Sequence, residues 1–242
     1  DVKTGNGAFA DTFQMADELA RSIVDVANGA GVRTHALITD MNQVLGHTAG
    51  NAVEIRETLA YLENRYICPR LHEVTLSLAA EMLVAGGLTE DLDDARTRAE
   101  TALTSGQARD VFARMVSALG GPNDFCEKPE DYLESAPVVM DIPAPADGVL
   151  TRMQTRDIGL AVVALGGGRT RPQDSIDHAV GFDRIRPLGS RVSAGETIAR
   201  VHARTEDDAR RAIEAYQNAI ELGDHYDASP VILKRLTGEV SK

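Results

Sequence analysis

The chain has 242 residues and a net charge of -12, with 37 acidic against 25 basic side chains, and 43% of its residues are apolar. That apolar share supports a packed core and excludes a disordered chain. The charge disfavours a nucleic-acid partner, because phosphate backbones need basic stripes, but a small anionic substrate still fits a locally positive site. Cys68 and Cys126 form no C-x-x-C pair, so neither a disulfide framework nor a zinc site is indicated. With no apolar run near the ~18 residues of a membrane span and no signal peptide, a soluble cytoplasmic protein is expected.

The opening D-V-K-T-G-N-G-A-F reads as a strand end running into a glycine turn. A strand end without an initiating Met is an odd opening, and further sequence before Asp1 is expected. Phe13, Ala16, Leu19, Ala20, Ile23, Val26 and Ala27 recur at three and four and predict a helix. Asp11 or Thr12 caps its start, and Gly29 and Gly31 stop it. Residues 32–38 are β-rich and predict a strand. Strand, glycine turn, helix and strand make an α/β unit with a parallel sheet, whose ligands sit at the C-terminal strand ends. The loops leaving those ends are residues 4–8 and 40–50.

Asn51 with Glu54 resembles a capping box opening a second helix, with Ile55, Leu59 and Leu62 inward. Pro69 opens a third, with Leu71, Val74, Leu78, Met82 and Leu83 inward, and Gly86 and Gly87 end it. A polar helix from Thr89 to Leu103 follows. Another after Gly106 carries Val111, Phe112, Met115 and Leu119. Five prolines between Pro122 and Pro145 mark a boundary, dividing 1–125 from 126–242. Beyond it, β-like pieces at 138–142, 148–153, 180–185, 191–193 and 197–203 alternate with glycine turns. A helical piece at 157–165 interrupts them, and an amphipathic helix from Thr205 to Leu222 closes the chain.

Four stretches, taken together, resemble one family: residues 1–9, I-T-D-M-N-Q-V-L-G-H-T-A-G-N-A-V-E-I-R-E-T-L at 38–59, L-G-G-G-R-T-R-P-Q-D-S-I-D-H-A-V-G at 165–181, and the turn from Gly189 to Glu196. Their order and spacing are similar to the nucleoside phosphorylases that include thymidine and pyrimidine nucleoside phosphorylase. Residues 38–59 are closer to the bacterial thymidine enzyme. The resemblance implies an α/β fold: the second half of a mixed α/β domain with flanking helices, then a β-rich, barrel-sandwich-like C-terminal module with a closing helix. It implies phosphorolysis of thymidine to base and 2-deoxyribose 1-phosphate by a cytoplasmic homodimer. No required cofactor is implied, and a monovalent cation such as potassium is the one ion it admits. The family's lysine-bearing phosphate loop is not found in these residues, so no catalytic residue is assigned. The 242-residue chain alone is expected to be inactive.

For single residues the resemblance and the bare chemistry leave alternatives. Phe9 is a core aromatic, or the wall of a pyrimidine pocket as in the family. Lys3 is a structural ion pair, or a positive charge near phosphate. Leu45 and Thr48, through backbone carbonyls, and Glu57, through its carboxylate, occupy the family's cation-ligand positions, and a hard cation prefers such oxygens. Otherwise Glu57 is a solvated helix residue. Asp40 is a turn residue or orients the loop it opens. His47 is read as a surface residue and His178 as packing at a domain contact. Arg169 and Arg171 are solvated, or join the module to the cleft. Two non-enzymatic readings remain: an interaction domain derived from a phosphorylase half, and a biotinyl- or lipoyl-type carrier. The carrier needs a hairpin-tip lysine, where the nearest text is Arg152-Met153-Gln154.

Overall fold

The structure, a computed structural model, describes residues 1–238. β1 (Val2–Thr4) pairs in parallel with β2 (His35–Asp40), Val2 opposite Ile38 and Thr4 opposite Asp40. α1 (Phe13–Gly29) makes the crossover, with the Thr12 side chain accepting from the Met15 amide at its start. Five of the six residues of β2 are buried, as in a strand covered on both faces. The strand begins later than the β-rich run suggests. Val32 is still tied to the helix by its amide on Ala27 O, and the Asn28 side chain donates to Thr34 O and accepts from the Thr34 amide.

The buried stripe of α1 also differs from expectation. Ala16, Ala20, Val24 and Asn28 face inward, whereas Phe13, Leu19, Ile23 and Val26 are exposed. Small residues at a spacing of four let the helix lie close to the sheet, and the larger apolar residues fall on the flank beside it.

α2 (Ala52–Leu62), α3 (Pro69–Ala85), α4 (Leu92–Thr104) and α5 (Gln107–Ala118) follow. The expected capping box is displaced by one residue. Glu54 accepts from the Gly50 amide at 2.9 Å, and the Asn51 side chain donates instead to Gly167 O. Asp91, not Thr89, caps α4, accepting from the amides of Asp93 and Asp94. α5 has no buried residue, and its apolar Val111 and Met115 are exposed, as is Leu119 just beyond it.

The second half is β-rich. β3 (Ala49–Gly50), from the first half, joins β4 (Val138–Pro143), β6 (Gly181–Asp183) and β8 (Thr197–Ala203) in a sheet ordered β3-β6-β8-β4. β5 (Gly148–Met153), β7 (Arg191–Val192) and β9 (Ile220–Gly223) form another, ordered β7-β5-β9. Both are antiparallel. They share one core with α6 (Thr155–Val162) and α7 (Glu206–Asn218), in which Ile142, Leu150, Met153, Phe182, Ile198 and Tyr216 are fully buried. No barrel closes among the described strands. The closing helix stops at Asn218, because Ile220 and Leu222 alternate about Glu221 and pair with β5. Met153 is buried in that core and Gln154 precedes α6, so this segment is no exposed carrier tip.

β10 (Ile232–Thr237), unforeseen in the sequence, returns to the first sheet and pairs antiparallel with β2 on the side away from β1. Its cations anchor it: Lys234 binds Asp17 of α1 at 2.6 Å, and Arg235 forks onto the buried Glu81 of α3, which also holds His35. The β10 and β3 pairings tie the module to the α/β part twice.

Candidate active site

The turn after β1 and the loop after β2 open at the same edge of the parallel sheet, as α/β topology requires. α2 supplies Glu54 and Glu57 from one side, and α6 of the module closes the other. Between them lies a cleft of about 540 Å³ whose lining includes Lys3, Leu45, Thr48, Glu54, Glu57 and Arg156.

Glu57 organises the loop it faces. One carboxylate oxygen accepts the His47 amide at 2.8 Å and the other the Thr48 hydroxyl at 2.5 Å. Gly46 has no side chain to intervene, and any Cβ there would meet the Glu57 carboxylate at 2.5 Å. Among the described residues Leu45 O receives only the weak Cys68 S–H, at 3.5 Å, which leaves acceptor capacity on that carbonyl. Glu54 is pushed up from its ordinary carboxylate value by burial and by the Glu57 charge, against the opposing Gly50 amide. Burial pushes the Lys3 ammonium down, although it pairs with Asp1.

The structure thus brings Lys3, Leu45, Thr48 and Glu57 to one cleft. Phe9 stands apart: it is 91% exposed, and so neither a core aromatic nor part of this lining. His47, read as a surface residue, is half-buried, donating from Nδ1 to Ile185 O at 2.8 Å and packing edge-on to Tyr66. The Cys68 thiol raises its pKa, against burial. Burial pushes Cys68 up, but His47 and the first amides of α3 outweigh it and bring the thiol below its usual value. Asp40 is buried, accepts from both nitrogens of Asn42 and pairs with Arg70 at 3.1 Å, so it shapes the loop it opens. His178 O accepts the Ala52 amide where the module meets α2. Arg169 and Arg171 are exposed in a loop organised by Asp174. Among the described residues no group of three or more His, Cys, Asp or Glu is placed to hold a metal ion.

Residues 1–109 match the model of the glycosyl transferase family a/b domain, and residues 149–223 match that of the pyrimidine nucleoside phosphorylase C-terminal domain. A thymidine phosphorylase of Colwellia psychrerythraea is 50% identical over 233 residues, covering 96% of this chain and 53% of that relative. One of Burkholderia cenocepacia is 50% identical over 236 residues, covering 98% of this chain and 54% of its own. The chain belongs to the thymidine and pyrimidine nucleoside phosphorylase family. It spans about half the length of the curated relatives it matches.

For a member of this family, sequence reasoning missed the contribution of the module to the cleft. Thr155 and Arg156 reach it only through the long-range docking of α6, and no motif at positions 153–156 announces that. A larger cavity, about 980 Å³, lies on the far side of Glu57 and is rich in arginine. Most of that charge is spent: Arg56 pairs with Glu130 at 2.8 Å, Arg186 with Glu196 at 2.6 Å, and Arg200 forks onto Asp183.

Burial works against ionisation of Asp183, yet His202 and Arg200 outweigh it and hold the carboxyl down at about 2. A depressed carboxyl stabilises the fold above its unfolded value of ~3.9, and that contribution is lost as pH falls through the folded value. Asp183→Asn is therefore expected to melt below the parent near neutral pH, with the gap closing between about pH 4 and pH 2. Calorimetry across that range checks it, and a constant gap would assign the stabilisation to something other than the charge.

Proposed function

We propose that this chain carries part of the working site of an enzyme that cleaves thymidine with phosphate, releasing thymine and 2-deoxyribose 1-phosphate. The observation that carries the reading is the cleft at the ends of β1 and β2, where Lys3, Leu45, Thr48 and Glu57 meet in a chain about 50% identical to thymidine phosphorylases. As the glycosidic bond lengthens, the base gains negative charge and the sugar becomes oxocarbenium-like. Phosphate attacks the anomeric carbon from the opposite face. Such a reaction is accelerated by positioning and by stabilising the departing base, with closure excluding the water that would compete.

The Lys3 ammonium, at the end of β1, supplies positive charge for phosphate. Phe9 supplies an apolar face for the flat base as the site closes. The carbonyls of Leu45 and Thr48 with the Glu57 carboxylate are an oxygen-only set of the kind a hard monovalent cation such as potassium takes, and the spare acceptor capacity of Leu45 O fits that use. The bound ion would hold the loop in place by neutralising Glu57. The same reading carries a cytoplasmic homodimer without a nucleic-acid partner, in keeping with the net charge of -12. Among the described residues no helix is long and apolar enough to cross a membrane.

The test is release of thymine from thymidine and inorganic phosphate by the protein at its full encoded length, with potassium present or replaced by a bulky organic cation. Turnover that needs phosphate and rises with potassium is expected, and Glu57→Gln should blunt the potassium response several-fold. Absence of phosphorolysis would overturn the function. A wild-type rate indifferent to potassium would remove the cation site alone.

A further inference from the structure

The turn after β1 has one internal bond, from the Ala8 amide to Gly5 O at 3.0 Å, and its other hydrogen bonds run to distant parts of the chain. The Asn6 side chain is fully committed: Nδ2 donates to Met153 O at 2.9 Å and to Asn42 Oδ1 at 3.3 Å, and Oδ1 accepts the Thr155 amide at 2.7 Å. Two residues on, Ala8 O accepts from Arg156 Nη2 at 3.1 Å. Gly7 lies so close to α6 that a Cβ would stand 2.7 Å from the Thr155 side chain and 2.8 Å from Met41 O. Apart from the bond between Ala8 and Gly5, the hydrogen bonds of residues 6–8 thus fall on the junction of β5 and α6 and on the loop after β2. Phe9 follows directly and is exposed.

We propose that Asn6 and Arg156 are positioning residues, which clamp the turn bearing Phe9 onto the first turn of α6 so that the module sets the nucleoside side of the cleft. Arg156 suits the role because no carboxylate engages it among the described residues, and its one hydrogen bond is to the turn. A charge-assisted bond to a carbonyl is worth more than a neutral one, and a guanidinium reaches it along a fixed plane. The clamp ties the β1 turn to the module, two parts distant in the chain, so a shift of the module moves the wall against which the nucleoside is placed while leaving the phosphate side, near Lys3, where it is.

This inference rests on the phosphorolysis reading, and the experiment separates the two. In the protein at its full encoded length, Arg156→Met keeps the stem and removes the donors. It is expected to raise the KM for thymidine about tenfold while the KM for phosphate stays within about twofold, with Arg156→Lys in between. Asn6→Ala should do the same. Equal changes in both KM values, or none, would overturn the clamp while leaving the function standing. Amide exchange at Gly7 and Ala8 gives a reading independent of turnover: exchange about tenfold faster in Asn6→Ala and Arg156→Met is expected, and unchanged exchange would overturn the clamp whether or not the parent cleaves thymidine.

Discussion

Replacing Gly46 by alanine is expected to slow thymidine phosphorolysis about a hundred-fold while costing only about 1–2 kcal/mol of stability. The added methyl would stand 2.5 and 2.6 Å from the two carboxylate oxygens of Glu57. A carboxylate at the end of a flexible side chain swings aside cheaply, so the fold survives. What the swing abandons is the pair of hydrogen bonds from the His47 amide and the Thr48 hydroxyl. Without them the loop from Leu45 to Thr48 loses its anchor on α2, and the carbonyls assigned to the cation drift. Misplacement by about 1 Å costs roughly two orders of magnitude in rate when catalysis works by positioning. The control is a double-mutant cycle. In a Glu57→Ala background the new methyl has nothing to displace, so adding Gly46→Ala should cost little more. The readouts are kcat/KM for thymidine and the melting temperature. A Gly46→Ala enzyme within about twofold of the parent rate would show that this loop takes no part in the reaction.

Much of the cleft was legible because strand ends advertise themselves. The glycine turn after β1 and the 40–50 loop after β2 are both at C-terminal strand ends, so the two loops converge for a topological reason, whereas Leu45, Thr48 and, on α2, Glu57 were singled out through the resemblance. What stayed hidden depends on which parts of the chain dock on which. Periodicity marks α1 as apolar but cannot tell which flank packs, and the alanine side took the sheet while Phe13 and Ile23 stayed outside. Lys234 and Arg235 disguise β10, since their charges look like a solvated tail until Asp17 and Glu81 are seen to receive them. The tail of the last predicted helix failed because a helical stripe through Tyr216 and Ile220 also satisfies a strand once β5 offers it a partner. Phe9 was named through resemblance, yet its exposure follows from a turn whose contacts lie some 150 residues away in sequence, at Met153 to Arg156.

Phe182→Ala is expected to produce the largest loss of stability in the chain, about 3–5 kcal/mol. The residue is fully buried at the meeting point of three elements: it pairs with Val201 of β8 on one side and Ala49 of β3 on the other, and its ring lies 5.4 Å from that of Tyr216 on α7. Removing the ring withdraws transfer energy and an aromatic pair, and leaves a cavity walled by two strands and a helix that cannot all collapse inward together. Phe182→Leu keeps most of the volume and should cost less than half as much. For a domain of this size the alanine variant should melt roughly 6–20 °C below the parent. The effect should also reach the cleft, because Ala49 is held by Phe182 and closes the loop that carries Leu45 and Thr48. Urea unfolding followed by circular dichroism measures the first effect, and amide exchange at Thr48 and Ala49 the second. A loss below about 1 kcal/mol would mean that the module core closes around the missing ring, and that the β3–β6 pairing stands without it.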